Sequence, residues 1–120
     1  MVIELPPGPL LAVMMDLHQG WVADMGLPGA DAGNGGRHLF LPPGWDGPIP
    51  DGHFVARSST SRMIGGVRAI PLGGDLPAAN DRIRAVKLRP LDPPAGWTEP
   101  AWLDINGQAQ DTTPGPGRPT

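Results

Sequence analysis

Asp16, His18 and Asp24, with Trp21 between them, are the side chains of this 120-residue chain whose types and spacing could do chemistry. Two carboxylates divide acid and base work in glycoside hydrolysis when they stand about 5–9.5 Å apart. Asp16 and Asp24 are eight residues apart in sequence, a span of about 27 Å along a strand or about 12 Å along a helix. Neither regular geometry pairs them, and only a bend near Gly20 brings them together. Asp16 and His18 make a closer couple, because on a strand they share a face about 7 Å apart. A carboxylate beside an imidazole can orient it for base work or for metal binding; the competing use is the solvated side of an amphipathic strand. Trp21 could stack on a sugar or another flat ligand, but core packing is its expected use, and Trp45 reads as a loop anchor.

Other constellations are poorer. His38 and His53 sit at opposite ends of a proposed strand pair and could meet across it, but the three histidines have no metal-ligand spacing. The run from Asp31 to Gly36 lacks oxygen ligands at the third and fifth positions of a calcium loop, and Pro42 stands where the twelfth needs Glu. Gly33-x-Gly35-Gly36 precedes a strand, not a helix, and carries no Gly-Lys-Ser/Thr, so turn formation explains it without a phosphate. Ser58, Ser59, Thr60 and Ser61 have no neighbouring base to activate a nucleophile, which leaves a loop capped by its own hydroxyls.

These residues must be positioned by short elements, because Gly 18 and Pro 17 leave few uninterrupted runs in 120 residues. Apolar residues at 39% and a mean hydropathy of -0.18 place the chain nearer to globular than to disordered sequences. A net charge of -3 offers no basic field for phosphate backbones, which excludes general nucleic-acid binding. The one basic run, Arg82, Arg84, Lys87 and Arg89, reads as a solvated face. There is no cysteine, hence no disulfide or thiolate metal site. No stretch reaches the roughly 20 apolar residues of a membrane span, and residues 10–15 are too short for a signal-peptide core, so an export signal is expected only upstream.

Along the chain, residues 2–5 read as a strand stopped by Pro6-Pro7-Gly8-Pro9. Residues 10–25 fit both periods: Leu10, Met14, Leu17, Trp21 and Met25 share a helical face, while alternate positions from Leu11 onward share a strand face. Gly20 disfavours a helix, but the residues alone leave both open. Strands over 38–41 and 53–57 are expected to form a hairpin-like pair across a long loop. Residues 63–71 are apolar, with a bulge or close backbone approach expected at Gly65-Gly66. Asp75 as N-cap, Pro77 in the first turn, and Leu76, Ala79, Ile83 and Val86 on one face predict a helix over 76–86. A strand over 86–91 and a weak hairpin at Asn106-Gly107 complete the pattern.

Residues 26–44 read Gly-Leu-x-Gly-x-Asp-x-Gly-x-Gly-Gly-x-x-Leu-x-Leu-Pro-Pro-Gly, which resembles the bacterial family called domain of unknown function 1254. The likeness starts at Val2-Ile3-Glu4-Leu5-Pro6-Pro7, passes through Asp16-Leu17, Trp21-Val22 and Asp24-Met25, then follows Arg57-Ser58, Arg68 and Asp75-Leu76, thinning after Trp97. The resemblance implies a β-rich, jelly-roll-like fold, and together with Gly20 it favours strand over residues 17–25. Combined with the pattern above, it predicts a mainly β chain with one short α-helix: a partial jelly-roll-like β-sandwich over 1–113 with a disordered tail over 114–120. Relatives of this kind are usually longer, often exported, and frequently carry a second domain, of unknown function 1214. Ser59, His53 and Gly65-Gly66 depart from the usual residues, which puts packing around residues 63–70 in question. The family brings no catalytic residues or cofactor; Asp16, Asp24 and Arg68 are its matched polar positions, and with His18 and Trp21 they form the candidate ligand-binding set. Two functions are therefore expected: a non-catalytic fragment of a longer two-domain protein, or an exported enzyme or small-ligand-binding domain using that set. Open strand edges in an incomplete sheet predict self-association, or cover by a missing C-terminal domain.

Overall fold

Short apolar runs cut by Pro and Gly give strands too brief to bury both faces alone, and they stack into two sheets. The computed structural model describes residues 1–103, 107 and 109. The strands are Val2–Leu5 (β1), Leu10–Asp16 (β2), Trp21–Gly26 (β3), Gly36–Leu41 (β4), Phe54–Arg57 (β5), Met63–Ala69 (β6) and Lys87–Arg89 (β7), with one α-helix, Leu76–Arg84 (α1). One sheet has the order β5-β4-β1-β7, the other β3-β2-β6. The chain is thus mainly β, as its sequence predicts.

Alternation on β2 shows how the sheets meet. Leu10, Ala12 and Met14 are buried and, with Met25 of β3, face Ile3, Leu5 and Phe40 of the other sheet in one core cluster. Burying a side chain of this size is worth about 1.5–3 kcal/mol. The four-stranded sheet is also covered on its far side, where Val2, Leu39 and Leu41 pack with Leu91. That double cover explains why β4 reads as a continuous apolar run and not as an alternating one.

Helix α1 starts as its sequence requires: the Asp75 carboxylate accepts from Ala78 N–H at 3.1 Å, and Pro77 sits in the first turn. It ends at Arg84, with Ala85 as C-cap. The basic residues beyond it are partnered at the surface: Arg89 lies 3.3 Å from Glu4 and Lys87 lies 3.9 Å from Glu99.

Two expectations need correction, and of the two alternatives at Gly65-Gly66 only the close approach holds. Residues 17–25 are not one strand, because β2 turns at residues 17–20 and returns antiparallel as β3; the odd-numbered positions that alternate through the sequence face outward on β2, as at Leu11, and inward on β3, as at Met25. Strands β4 and β5 are not a hairpin-like pair but run parallel, His38 opposite Phe54. The connection between them is long enough to cross back before β5 begins, which a hairpin loop does not do. Strand β6 carries no bulge at Gly65-Gly66, since its ladder with β2 is unbroken from Met63 to Ala69. The close approach there is made by Met14, whose Cε would lie 3.1 Å from a Cβ at Gly65, and by the Val13 carbonyl at 3.3 Å. The register break falls between Met14 and Met15 against β3. Asn106, most of the hairpin expected around it, and the tail over 114–120 lie outside the described residues.

Candidate functional site

The turn between β2 and β3 is built around one carboxylate. Asp16 Oδ1 accepts from the backbone N–H of His18 at 2.9 Å and of Gly20 at 2.8 Å, and its Oδ2 accepts from the Ser59 hydroxyl at 2.9 Å. A Cβ on Gly20 would stand 2.7 Å from Asp16 Oδ2, so the carboxylate occupies the space that any larger residue needs. The Gly20 N–H, then the Ser59 hydroxyl, hold the Asp16 carboxyl below its ordinary value of 3.8. Next to it, Thr60 accepts from Leu17 N–H at 3.1 Å and donates to the Arg62 carbonyl at 2.6 Å. The hydroxyl run 58–61 thus caps its own loop and clamps the neighbouring turn.

His18 is exposed in that turn, and its contact with Asp16 comes from its backbone N–H. Trp21, Asp24 and Arg68 lie elsewhere, on the outer face of the three-stranded sheet. Since Leu10, Ala12 and Met14 point inward, Leu11, Val13 and Met15 point out, and the register sets three rows across the face: Ile64–Met15–Trp21, Gly66–Val13–Asp24, and Arg68–Leu11–Gly26. Trp21 is 68% exposed there and Ile64 48%. Trp21 therefore does not pack in the core: it stands on an edge strand beside the register break, with its indole turned outward. Asp24 and Arg68 sit on opposite edge strands at the two ends of a shallow depression of about 410 Å³ floored by Leu11 and Val13. The bend at Gly20 does fold Asp24 back beside β2, but it lands opposite Val13, three residues from Asp16 or about 10 Å along the strand. Asp16 and Asp24 are brought onto one hairpin and not into one site.

A second carboxylate, outside the candidate set, is buried deeper. Asp31 is 4% exposed; its Oδ1 accepts from Gly26 N–H at 2.7 Å and its Oδ2 from Gly35 N–H at 3.1 Å. His38 Nε2 lies 3.2 Å from Asp31 Oδ1, in ion-pair range but without the alignment of a hydrogen bond. Burial pushes the imidazole below its ordinary value of 6.5, with Asp31 opposing part of that shift. The ring lies against Phe54, centroids 5.1 Å apart, and not against His53, which is turned to the carbonyls of Pro50 and Asp51. This pair closes the glycine-rich loop over 26–36 onto β4. The signal for it was present in the sequence, for Asp31 and Gly35 repeat the Asp-x-x-x-Gly spacing of Asp16 and Gly20.

Trp45 anchors its loop as its surroundings suggested: its carbonyl accepts from Arg57 Nη1 at 3.1 Å, and its ring lies over Gly47. Among the described residues no three of His, Cys, Asp and Glu converge as a metal site, and no helix is long and apolar enough to cross a membrane. The arrangement offers turn clasps, a solvent-facing apolar strip with a charge at each end, and a cleft between the sheets.

No curated protein matches the chain. The glycine-rich loop clasped by Asp31, the strands it joins and α1 all fall within residues 1–90, which match the family described as "Protein of unknown function (DUF1254)", and the chain belongs to that family.

Proposed function

We propose that this chain is a non-catalytic β module whose role is assembly, with the outer face of the β3-β2-β6 sheet as its docking surface and a second copy of the chain as the occupant. The observation that carries this reading is the self-complementary layout of that face. Asp24 stands on one edge strand and Arg68 on the other, with Leu11 and Val13 between them, and the row of Ile64, Met15 and Trp21 continues the apolar surface to one side. A two-fold axis lying in the plane of the face, perpendicular to the line between the charges, sets each Asp24 against the partner's Arg68 and apolar strip against apolar strip. Trp and Arg are the residue types that most often dominate such contacts. Both edges of this sheet also carry backbone groups without a strand partner among the described residues. In a longer, two-domain protein of the family, a following domain would cover those edges, and any reaction would belong to the whole protein.

The carboxylate at Asp16 supports assembly better than catalysis, because its oxygens already serve three donors that shape the hairpin presenting Trp21 and Asp24. Sedimentation velocity with charge reversal tests the reading. Asp24→Arg and Arg68→Asp are each expected to shift the chain from dimer toward monomer, and the double reversal to restore the dimer. A wild-type chain that sediments as a monomer at all concentrations overturns it, as do single reversals that leave the dimer intact.

A further inference from the structure

A cavity among the described residues lies between the two sheets, and the proposed assembly does not use it. It measures about 490 Å³ and is walled by Ile3, Met14, Met25, Met63 and Val67, with Gly65 leaving one side without a side chain. That volume falls within the range of small-molecule sites, about 300–1,000 Å³. Methionine side chains are unbranched and polarizable, and they conform to flexible apolar guests. At the mouth the lining changes character: Arg84, from the end of α1, and Lys87, from the start of β7, bring two cations to one rim.

The chain's own segment 99–102 shows what that rim attracts. It crosses the mouth with the Glu99 carboxylate 3.9 Å from Lys87 Nζ and the Trp102 ring 5.3 Å from the Arg84 guanidinium carbon. Both members of the ion pair are more than half exposed, so the contact is weak and open to exchange. An apolar cavity with a cationic rim, already held by a carboxylate on a loosely attached strap, is complementary to an amphipathic acid. We propose that this cleft binds an unbranched medium-chain carboxylic acid, its alkyl chain on the methionines and its carboxylate on Lys87 and Arg84 in place of Glu99.

Isothermal titration of the full chain with decanoate and with decan-1-ol tests this, below the concentration at which either probe forms micelles. Decanoate is expected to bind saturably, one per chain, at least tenfold more tightly than the alcohol. The exposed double substitution Arg84→Ala with Lys87→Ala removes that preference while leaving binding of the alcohol in place. Gly65→Val, which fills the open wall, weakens both; because it also presses on Met14, methyl resonances of Met14, Met25 and Met63 in the wild-type chain give an independent readout and are expected to shift on titration. Equal affinity for acid and alcohol, a preference that survives the double substitution, or no saturable binding overturns the proposal. Methionine resonances that move with protein concentration and not with decanoate also overturn it, and assign the cleft to a second copy.

Discussion

Two aspartates in this protein do the same local job in opposite surroundings. Asp16 and Asp31 each gather backbone N–H groups around a reversal of the chain, and each takes one from a glycine four residues on, Gly20 and Gly35. Asp16 stands at the solvent edge, where water replaces any bond that is lost. Asp31 is buried beside His38, where nothing does. The same motif is therefore a local shaping device in one place and a structural lock in the other, and burial sets the difference.

The largest expected effect comes from deleting the buried carboxylate. Asp31→Ala leaves the buried Gly26 N–H and the half-buried Gly35 N–H unpaired and is expected to cost about 3 kcal/mol, read as a loss of unfolding free energy in urea. Asp16→Ala is expected to cost clearly less in the same assay; equal losses would break the distinction. Next come the glycines. Gly35 has φ +79 and a Cβ there would meet Pro7 N and Leu5 O at 2.7 and 2.8 Å, so the backbone itself blocks it. Gly35→Ala is expected to cost about 2–3 kcal/mol, whereas Gly20→Ala, opposed by a side chain that can swing away, is expected to cost about 1 kcal/mol. Thermal unfolding of the two variants ranks them.

The smallest effect separates the two clasps by pH. His38 has its proton affinity lowered in the folded chain, so the unfolded chain takes up the proton first, and stability falls as pH drops below 6.5. The Asp16 carboxyl is lowered instead from 3.8, so its contribution is present above that value and is lost only as pH falls further, through the folded value. Urea midpoints followed from neutral pH downward are expected to decline in two stages, the first absent in His38→Gln. A flat profile from neutral pH to 3.8 would remove the lock assigned to the buried pair.

Much of this architecture was legible because it rests on local chemistry. Asp75, Pro77 and the spacing of Ala79 and Ile83 announce α1, and the Gly-Pro clusters mark where β1 and β4 stop. What escaped depends on contacts between distant residues. The parallel pairing of β4 with β5 is set by the path of residues 42–53, which no periodicity encodes. Trp21 looked like core by its size and spacing, yet the turn at Gly20 and the break between Met14 and Met15 turn it to solvent. The partnership of Asp31 with His38 is hidden for the opposite reason: Asp16 and His18 are two residues apart, whereas Asp31 and His38 are joined only by the fold, across a stretch whose glycines advertise only turns. The candidate residues were found as a set and dispersed by the fold, Asp16 and His18 to a turn, and Trp21, Asp24 and Arg68 to one outer face.

That dispersal rests the account on the outer face of the three-stranded sheet, and hydrogen–deuterium exchange compared between dilute and concentrated protein addresses it most directly. Amides of the edge strands β3 and β6 are expected to gain protection as concentration rises, while those of β4, closed on both sides, stay constant. Protection of β3 and β6 that does not change with concentration, or that changes only in β5 and β7, would contradict the assignment of this face to assembly.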